Sequence, residues 1–143
     1  MDHVVYLDAK AKELQNLISG DKTMIIRGAT GRKMPHGRVF KGDILYFIEN
    51  KGDGLVKAKA AVNSVYHSEK LEPDESIAIV DKNQDKLCLD TGLKKRFAGK
   101  RYLVLIEITN FSVLEPIRID RSAYGNMDDW LPVEDIKKVT DNK

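Results

Sequence analysis

The stretch Ser19-Gly-Asp-Lys-Thr-Met-Ile-Ile-Arg27 contains the end of one predicted element and the start of the next. Upstream of it, Leu14 and Leu17 recur at the spacing of an amphipathic helix. Gly20 stands where a glycine in the left-handed conformation commonly ends a helix. Met24, Ile25 and Ile26, near the end of the quoted stretch, are typical of a strand, which we predict over residues 22–27. A helix therefore leads directly into a strand.

The remainder of the chain predicts more strands than helices. Residues 44–49 are rich in β-branched and aromatic side chains, and a glycine-rich turn separates them from the alternating pattern of residues 55–66. Residues 102–108 form a continuous apolar run, typical of a strand buried on both faces. We also predict one or two helices over 72–96, a short strand at 117–119 and a helix start at 131–135.

With a short apolar strand over residues 4–7 at the start, the order of these elements is β-α-β-β-β-α-β-β, which predicts an α+β fold. Strands joined by hairpins give a mostly antiparallel sheet, and such a sheet of about five to six strands with two or three helices commonly closes into a small barrel. At 143 residues the chain has the length of one domain. We predict that residues 112–143 are a C-terminal extension packed on the barrel.

Composition narrows the class of protein further. Hydrophobic residues make up 42% of the chain and charged residues 32%, which is typical of a globular protein and not of a disordered one. No apolar run approaches the ~20 residues that span a bilayer, so we predict no membrane partner. The N-terminus lacks a signal-peptide pattern and the single cysteine, Cys88, cannot form an internal disulfide. Both observations predict a cytoplasmic location.

Charge is distributed unevenly along a chain whose net charge is only +2. Residues 20–41 contain six Lys or Arg residues and one acid, and residues 94–101 contain five and no acid. Residues 69–90 reverse the balance, with seven acids and three lysines. This segregation is typical of a protein with a polyanionic ligand, although solvated loops would produce the same pattern.

Two short motifs suggest a family. The pattern Gly20-x-Lys22-x-x-x-x-Arg27 is followed, after a basic loop, by the turn Gly42-Asp43 and the next predicted strand. This order resembles the ASCH branch of the PUA-like superfamily, over residues 4–65 in motif and over 102–111 in pattern. The resemblance implies a β-barrel with a ligand cleft between barrel and helices, lined by the Lys and the Arg of the motif.

The same resemblance implies two kinds of activity. Some ASCH-like proteins bind RNA or act with the translation or transcription machinery. A small bacterial group hydrolyses N4-acetylcytidine with a Lys, a Thr three residues later and a Glu from the second helical region. Lys22 matches the Lys, but Ile25 stands in place of the Thr, and Thr23 is the nearest hydroxyl. Candidates for the Glu are Glu69, Glu72 and Glu75.

We therefore predict a nucleic-acid-binding module with RNA as the ligand. Its side chains are expected to donate hydrogen bonds to phosphates or bases. The predicted site residues are Lys22, Thr23, Arg27, Arg32, Lys33 and Arg38. One alternative is an amidohydrolase acting on a modified nucleoside such as N4-acetylcytidine, with Lys22 as the catalytic residue. Another is a protein-interaction module. The departure at Ile25 favours binding over catalysis, and the oligomeric state is left open.

Other chemistry has less support in the sequence. The three histidines are scattered and no Cys/His spacing is typical of a zinc site, so we predict no metal and no cofactor. Four aromatic side chains could stack on bases but are more often part of a core: Tyr66, Tyr102, Tyr124 and Trp130.

Overall fold

The computed structural model describes residues 1–122 and 129–141. Within them the chain forms six strands, four α-helices and one 3₁₀ helix. The strands are β1 (Asp2–Leu7), β2 (Met24–Ala29), β3 (Ile44–Glu49), β4 (Leu55–His67), β5 (Tyr102–Arg118) and β6 (Trp130–Glu134). The helices are α1 (Glu13–Ser19), α2 (Pro73–Lys82), α3 (Gln84–Leu87) and α4 (Thr91–Phe97), and the 3₁₀ helix is Ile136–Lys138.

The six strands form one curled sheet, a half-barrel, in the order β2-β5-β4-β3-β1-β6. Four of the strand pairs are antiparallel, and β1 and β3 pair in parallel. The long strands β4 and β5 change register at three points along their ladder, and such bulges increase the local twist of a sheet. The predicted α+β fold class is therefore confirmed.

The pair β2 and β5, at one edge of the sheet, is buried on both faces, as the apolar run at 102–108 predicts. Ile25 of β2 and Ile106 of β5 belong to a core cluster that also contains Leu14 and Leu17 of α1. The alternate residues, among them Leu103, face a second cluster formed with α2, α3 and α4. Helices therefore cover both faces of this pair, and the side chains of β2 alternate between the two layers.

The first helix and strand show where the local signals end. Gly20 has a φ of 83° and its amide donates to Leu17, so it ends α1 as predicted. The helix begins only at Glu13, because Asp8 caps a separate turn by accepting from the amide of Ala11. Strand β2 begins at Met24 rather than at residue 22, so Lys22 precedes the strand.

Three predictions about later elements need correction. The region 72–96 contains three helices, because the backbone turns at Asn83 and again before α4, where Asp90 caps by accepting from the amide of Leu93. The predicted helix start at 131–135 is wrong for residues 131–134, and only Asp135 caps a helical turn, the 3₁₀ helix Ile136–Lys138. The predicted short strand at 117–119 is not a separate element, because residues 117 and 118 are the last residues of β5. Residues 130–134 instead form β6, since the edge of β1 provides backbone partners that the sequence does not reveal.

Among the helices of the described residues, none is long and apolar enough to cross a membrane.

Candidate nucleic-acid interface

A small cleft opens between the end of β2, the loop that follows it and the last turn of α4. Its volume is about 60 Å³, several times the space that one water molecule needs, so it accommodates a group of phosphate size. Three cationic side chains line it together with an imidazole, a phenol and one carboxylate: Arg27, Lys33, Arg96, His36, Tyr102 and Asp129. Of the two motif residues predicted to line a ligand cleft, Arg27 lines this one and Lys22 does not.

Strand pairing positions the floor of the cleft. Ala29 at the end of β2 pairs with Tyr102 at the start of β5, so the basic loop leaves the sheet beside the Tyr102 ring. Phe97 is buried among the residues of β2 and β5, and this anchor holds the last turn of α4 against the sheet. Arg96, which precedes Phe97, is then placed over the opening with more than half of its side chain exposed.

Arg27 is the most constrained cation of the cleft. It is only 7% exposed, because its position on β2 points it toward β1 and β6. One terminal nitrogen donates to the carbonyl of Tyr6 at 2.7 Å, the other donates to that of Ile26 at 2.8 Å, and the guanidinium lies 5.6 Å from the ring centre of Trp130. A guanidinium fixed on two sides in this way is pre-organised to present its remaining Nε–H.

The remaining Nε–H of Arg27 faces Asp129. The distance from Nε to the nearer carboxylate oxygen is 3.4 Å, and this buried nitrogen has no hydrogen-bond partner among the described residues. The same oxygen lies 3.6 Å from a terminal nitrogen of Arg96. Both distances exceed the 2.7–2.9 Å of a strong charge-assisted hydrogen bond, so this carboxylate is a poor fit between two arginines.

The loop over residues 30–39 is anchored at its second half. His36 donates from Nε2 to the carbonyl of Ser68 at 2.8 Å. His67 accepts from the amide of Gly37 through Nδ1 and donates from Nε2 to the carbonyl of Val39. Burial lowers the pKa of His67, which favours the neutral ring that can accept and donate at once. The loop therefore has fixed attachments to the end of β4.

Arg32 and Lys33 occupy the first half of the same loop, and both are exposed. The Arg32 guanidinium lies 5.6 Å from the ring centre of Tyr102 and 3.7 Å from the carboxylate of Glu69. That ion pair is solvent-exposed on both sides, so it contributes little and leaves Arg32 available. Arg38 is also exposed but does not line the cleft.

Lys22 lies elsewhere, in the protein interior. Its side chain has no exposed surface, and Nζ donates to the carbonyl of Leu87 at 2.6 Å and pairs with Glu13 at 3.4 Å. Burial lowers the pKa of Lys22, and the Glu13 carboxylate opposes that shift. Glu13 also accepts from the amide of Asp8, so the pair joins α1, the start of β2 and α3. Thr23, which follows, is exposed, and its backbone amide donates to Lys86.

The acids proposed as partners of Lys22 are placed away from it. Glu72 and Glu75 form a capping box at the start of α2, and Glu69 is exposed beside Arg32. The acid that contacts Lys22 is Glu13, from the first helix. Glu13 was not among the candidates from the sequence, because the resemblance implies a Glu from the second helical region.

Sequence reasoning also missed members of the cleft. Arg96 belongs to the basic run at 94–101, and a helix ending there would have placed it beside the sheet. Asp129 belongs to no recognisable sequence motif. It lies at the cleft because β6, which begins at the next residue, pairs with β1. Of the aromatic candidates, Trp130 is fully buried in the core, Tyr102 lines the cleft and Tyr66 is nearly half exposed. Tyr124 lies outside the described residues.

Within the ranges 1–122 and 129–141, no group of three or more His, Cys, Asp or Glu residues is placed to hold a metal ion.

This curled sheet with its flanking helices is also the fold of solved ASCH proteins. The chain is similar to the crystal structure of an ASCH protein from Zymomonas mobilis, with a TM-score of 0.67 and 14% identity over 98% of this chain and 96% of that one. Two point variants of the same Zymomonas protein match with the same TM-score and identity, over 98% and 96% of this chain and 99% and 92% of theirs. No family model matches the sequence, and no curated protein matches it.

Proposed function

We propose that the protein binds RNA through the cleft between β2, its following loop and α4. The observation that carries this proposal is the convergence of Arg27, Lys33 and Arg96 on a space of phosphate size. Guanidinium groups suit phosphates because their donors match two oxygens at once. The ASCH-type fold, shared with the Zymomonas protein, supports the class of module.

A stacking surface lies directly beside these cations. Tyr102 is half-buried at the edge of the cleft, with Arg32 over its ring. An aromatic ring next to a phosphate site is the combination that single-stranded nucleic acid uses, because the base stacks while the backbone is neutralised. The cleft itself is too small for a whole nucleotide, so we place the base outside it, against Tyr102 and the loop.

The environment of Lys22 supports binding over hydrolysis of N4-acetylcytidine. A catalytic ammonium must reach the substrate, yet Nζ of Lys22 is enclosed by Leu87 and Glu13 and does not line the cleft. Incubation of the protein with N4-acetylcytidine, followed by chromatography, tests the alternative. We expect no release of cytidine above a protein-free control. Release above that control would favour the hydrolase.

The direct test is the salt dependence of binding to a fluorescent single-stranded RNA. The logarithm of the affinity should fall linearly with the logarithm of the salt concentration, because each phosphate contact releases counterions. For the double variant Arg32→Ala/Lys33→Ala we expect a slope shallower by roughly 0.7 per lost contact, with base preference retained.

The matched control is Lys59→Ala/Arg118→Ala, which removes the same two charges from the distant parts of β4 and β5. We expect the slope of this control to equal that of the unmodified protein. If both double variants change the slope equally, the effect is one of net charge and the loop is not the contact.

A further inference from the structure

Asp129 occupies the point at which the two arginines of the cleft converge. A single oxygen, Oδ2, faces Nε of Arg27 at 3.4 Å and a terminal nitrogen of Arg96 at 3.6 Å. Neither distance is that of a strong charge-assisted bond, and Nε of Arg27 is buried without a hydrogen-bond acceptor in the described part of the chain. Two donors are therefore aimed at one position that the carboxylate fills incompletely.

Arg27 is too constrained to adjust to Asp129. Its other two nitrogens are held by the carbonyls of Tyr6 and Ile26, and Trp130 backs the guanidinium plane. The Nε–H direction is thus fixed by the sheet, and an incoming acceptor must come to it. A buried donor without an acceptor is costly, so any anion that completes this bond gains affinity from it.

Asp129 itself has the freedom to leave. Its carbonyl accepts from the amide of Tyr6 at 2.9 Å, which fixes the backbone beside β1. Its side chain is about one-third exposed and can rotate toward solvent without breaking that bond. The backbone anchor and the side chain are thus independent.

We infer that Asp129 is an internal substitute for a ligand phosphate, displaced when a phosphate group binds Nε of Arg27 and the guanidinium of Arg96. The inference rests on the proposed function, because it names the phosphate contact of that same cleft. A phosphate group presents two or more acceptor oxygens where Oδ2 of Asp129 presents one, so both arginines can be satisfied at shorter distances. The carboxylate consequently competes with the ligand and weakens its binding.

The decisive variant is Asp129→Asn, which removes the competing charge and keeps the shape of the side chain. We expect it to bind a single-stranded RNA without terminal phosphate ~10-fold more tightly than the unmodified protein at low salt. Asp129→Glu keeps the charge, and we expect no gain from it. Glu115→Gln makes the same carboxylate-to-amide change in the distal half of β5 and controls for net charge; it should leave the affinity unchanged.

A second measurement does not depend on RNA. Inorganic phosphate, compared with chloride at equal ionic strength, should raise the Tm of Asp129→Asn more than that of the unmodified protein, because a neutral amide competes with phosphate less strongly than a carboxylate does. The same titration with a mononucleotide monophosphate distinguishes a terminal phosphate from the internal phosphodiester of the oligonucleotide. Combining Asp129→Asn with Arg96→Ala should reduce both gains, since the two side chains share one ligand.

These measurements separate the two proposals. If RNA binds but Asp129→Asn and Glu115→Gln behave alike, the competition is refuted while RNA binding stands. If Asp129→Asn gains phosphate affinity and no variant binds RNA, the phosphate site stands and the proposed function fails. Equal gains with and without Arg96 would indicate a general field effect and overturn the inference.

Discussion

At the scale of single residues, the burial of Lys22 is the feature that most needs a partner. A lysine is almost never fully buried unless it is paired, because removing its charge from water is costly. Glu13 supplies the counter-charge at 3.4 Å and Leu87 supplies a carbonyl at 2.6 Å. Lys22 therefore has a structural role, because its side chain connects α1 and α3 to the segment that precedes β2.

Removing Lys22 should destabilise the fold by leaving Glu13 buried without its partner. For Lys22→Met, which keeps the length of the side chain, we expect a loss of about 3–5 kcal/mol in the free energy of unfolding. Urea denaturation measures it.

The control for Lys22→Met is the double variant Lys22→Met/Glu13→Gln. The amide can still accept from Asp8, and no charge remains buried, so the double variant should be more stable than Lys22→Met alone. A Lys22→Met protein of unchanged stability but without RNA binding would contradict this structural role.

At the scale of elements, one buried polar network joins β1, β6 and the turn before β3. Nε1 of Trp130 donates to Nδ1 of His3 at 3.0 Å, and Nε2 of His3 lies 2.9 Å from Oδ2 of Asp43. Because Nδ1 accepts, the proton of the neutral ring is on Nε2 and is donated to Asp43. These hydrogen bonds connect the turn Gly42-Asp43 to β6 through His3.

This network predicts a dependence of stability on pH. Burial lowers the pKa of His3 below 6.5, and Asp43 opposes the shift. As pH falls through about 6.5, the unfolded chain binds a proton before the folded one does, so stability decreases until the folded pKa is passed. A proton on Nδ1 would also face the Nε1–H of Trp130. The other charges acting on His3 are the N-terminal amine, which lowers its pKa, and Asp2, which raises it.

Denaturation at a series of pH values between 7.5 and 5 measures this effect. The contribution of His3 to the slope cannot exceed about 1.4 kcal/mol per pH unit. The slope should become shallower in His3→Gln, whereas His67→Gln should retain the part due to His3. Equal slopes in the unmodified protein and in His3→Gln would exclude the network as the cause.

Comparison of the elements shows which signals are local. Three features were predictable because glycine conformation, hairpin turns and apolar periodicity depend on neighbouring residues alone. They are the end of α1 at Gly20, the strand over 44–49 and the buried run at 102–108. Strand β6 was not predictable, since residues 131–135 with Pro132 and two acids look like a helix start until β1 is present. Its pairing is a tertiary effect that overrides local propensity.

The same division applies to the cleft. Arg27 and Lys33 were predictable from the motif and the basic loop, and both line it. The place of Lys22 was not, because base rates place a lysine on the surface and its partner Glu13 lies in another element. Asp129 was beyond reach of the sequence, since nothing local connects it with β2.

At the scale of the whole molecule, the last strand, β6, pairs with the first strand, β1. Residues 112–118 continue β5 without interruption and residues 130–134 form β6, which pairs with β1, so both segments belong to the same sheet as the N-terminal strand. Trp130 of β6 is in one core cluster with the side chains of α1, β2 and β5. The prediction that follows is one cooperative unit, including the C-terminal extension.

The single tryptophan of the chain reports on this cooperativity directly. Trp130 is fully buried, so its fluorescence should shift to longer wavelength when β6 leaves the sheet, whereas far-UV circular dichroism follows all helices and strands. We expect both probes to give the same urea midpoint, as two-state unfolding of a single domain requires.

A fluorescence transition at lower urea, with the dichroism unchanged there, would mean that the extension detaches first. Arg27 would then lose the Trp130 ring that helps to hold its guanidinium in place, so a separate first transition would also reduce phosphate-dependent stabilisation before the sheet unfolds.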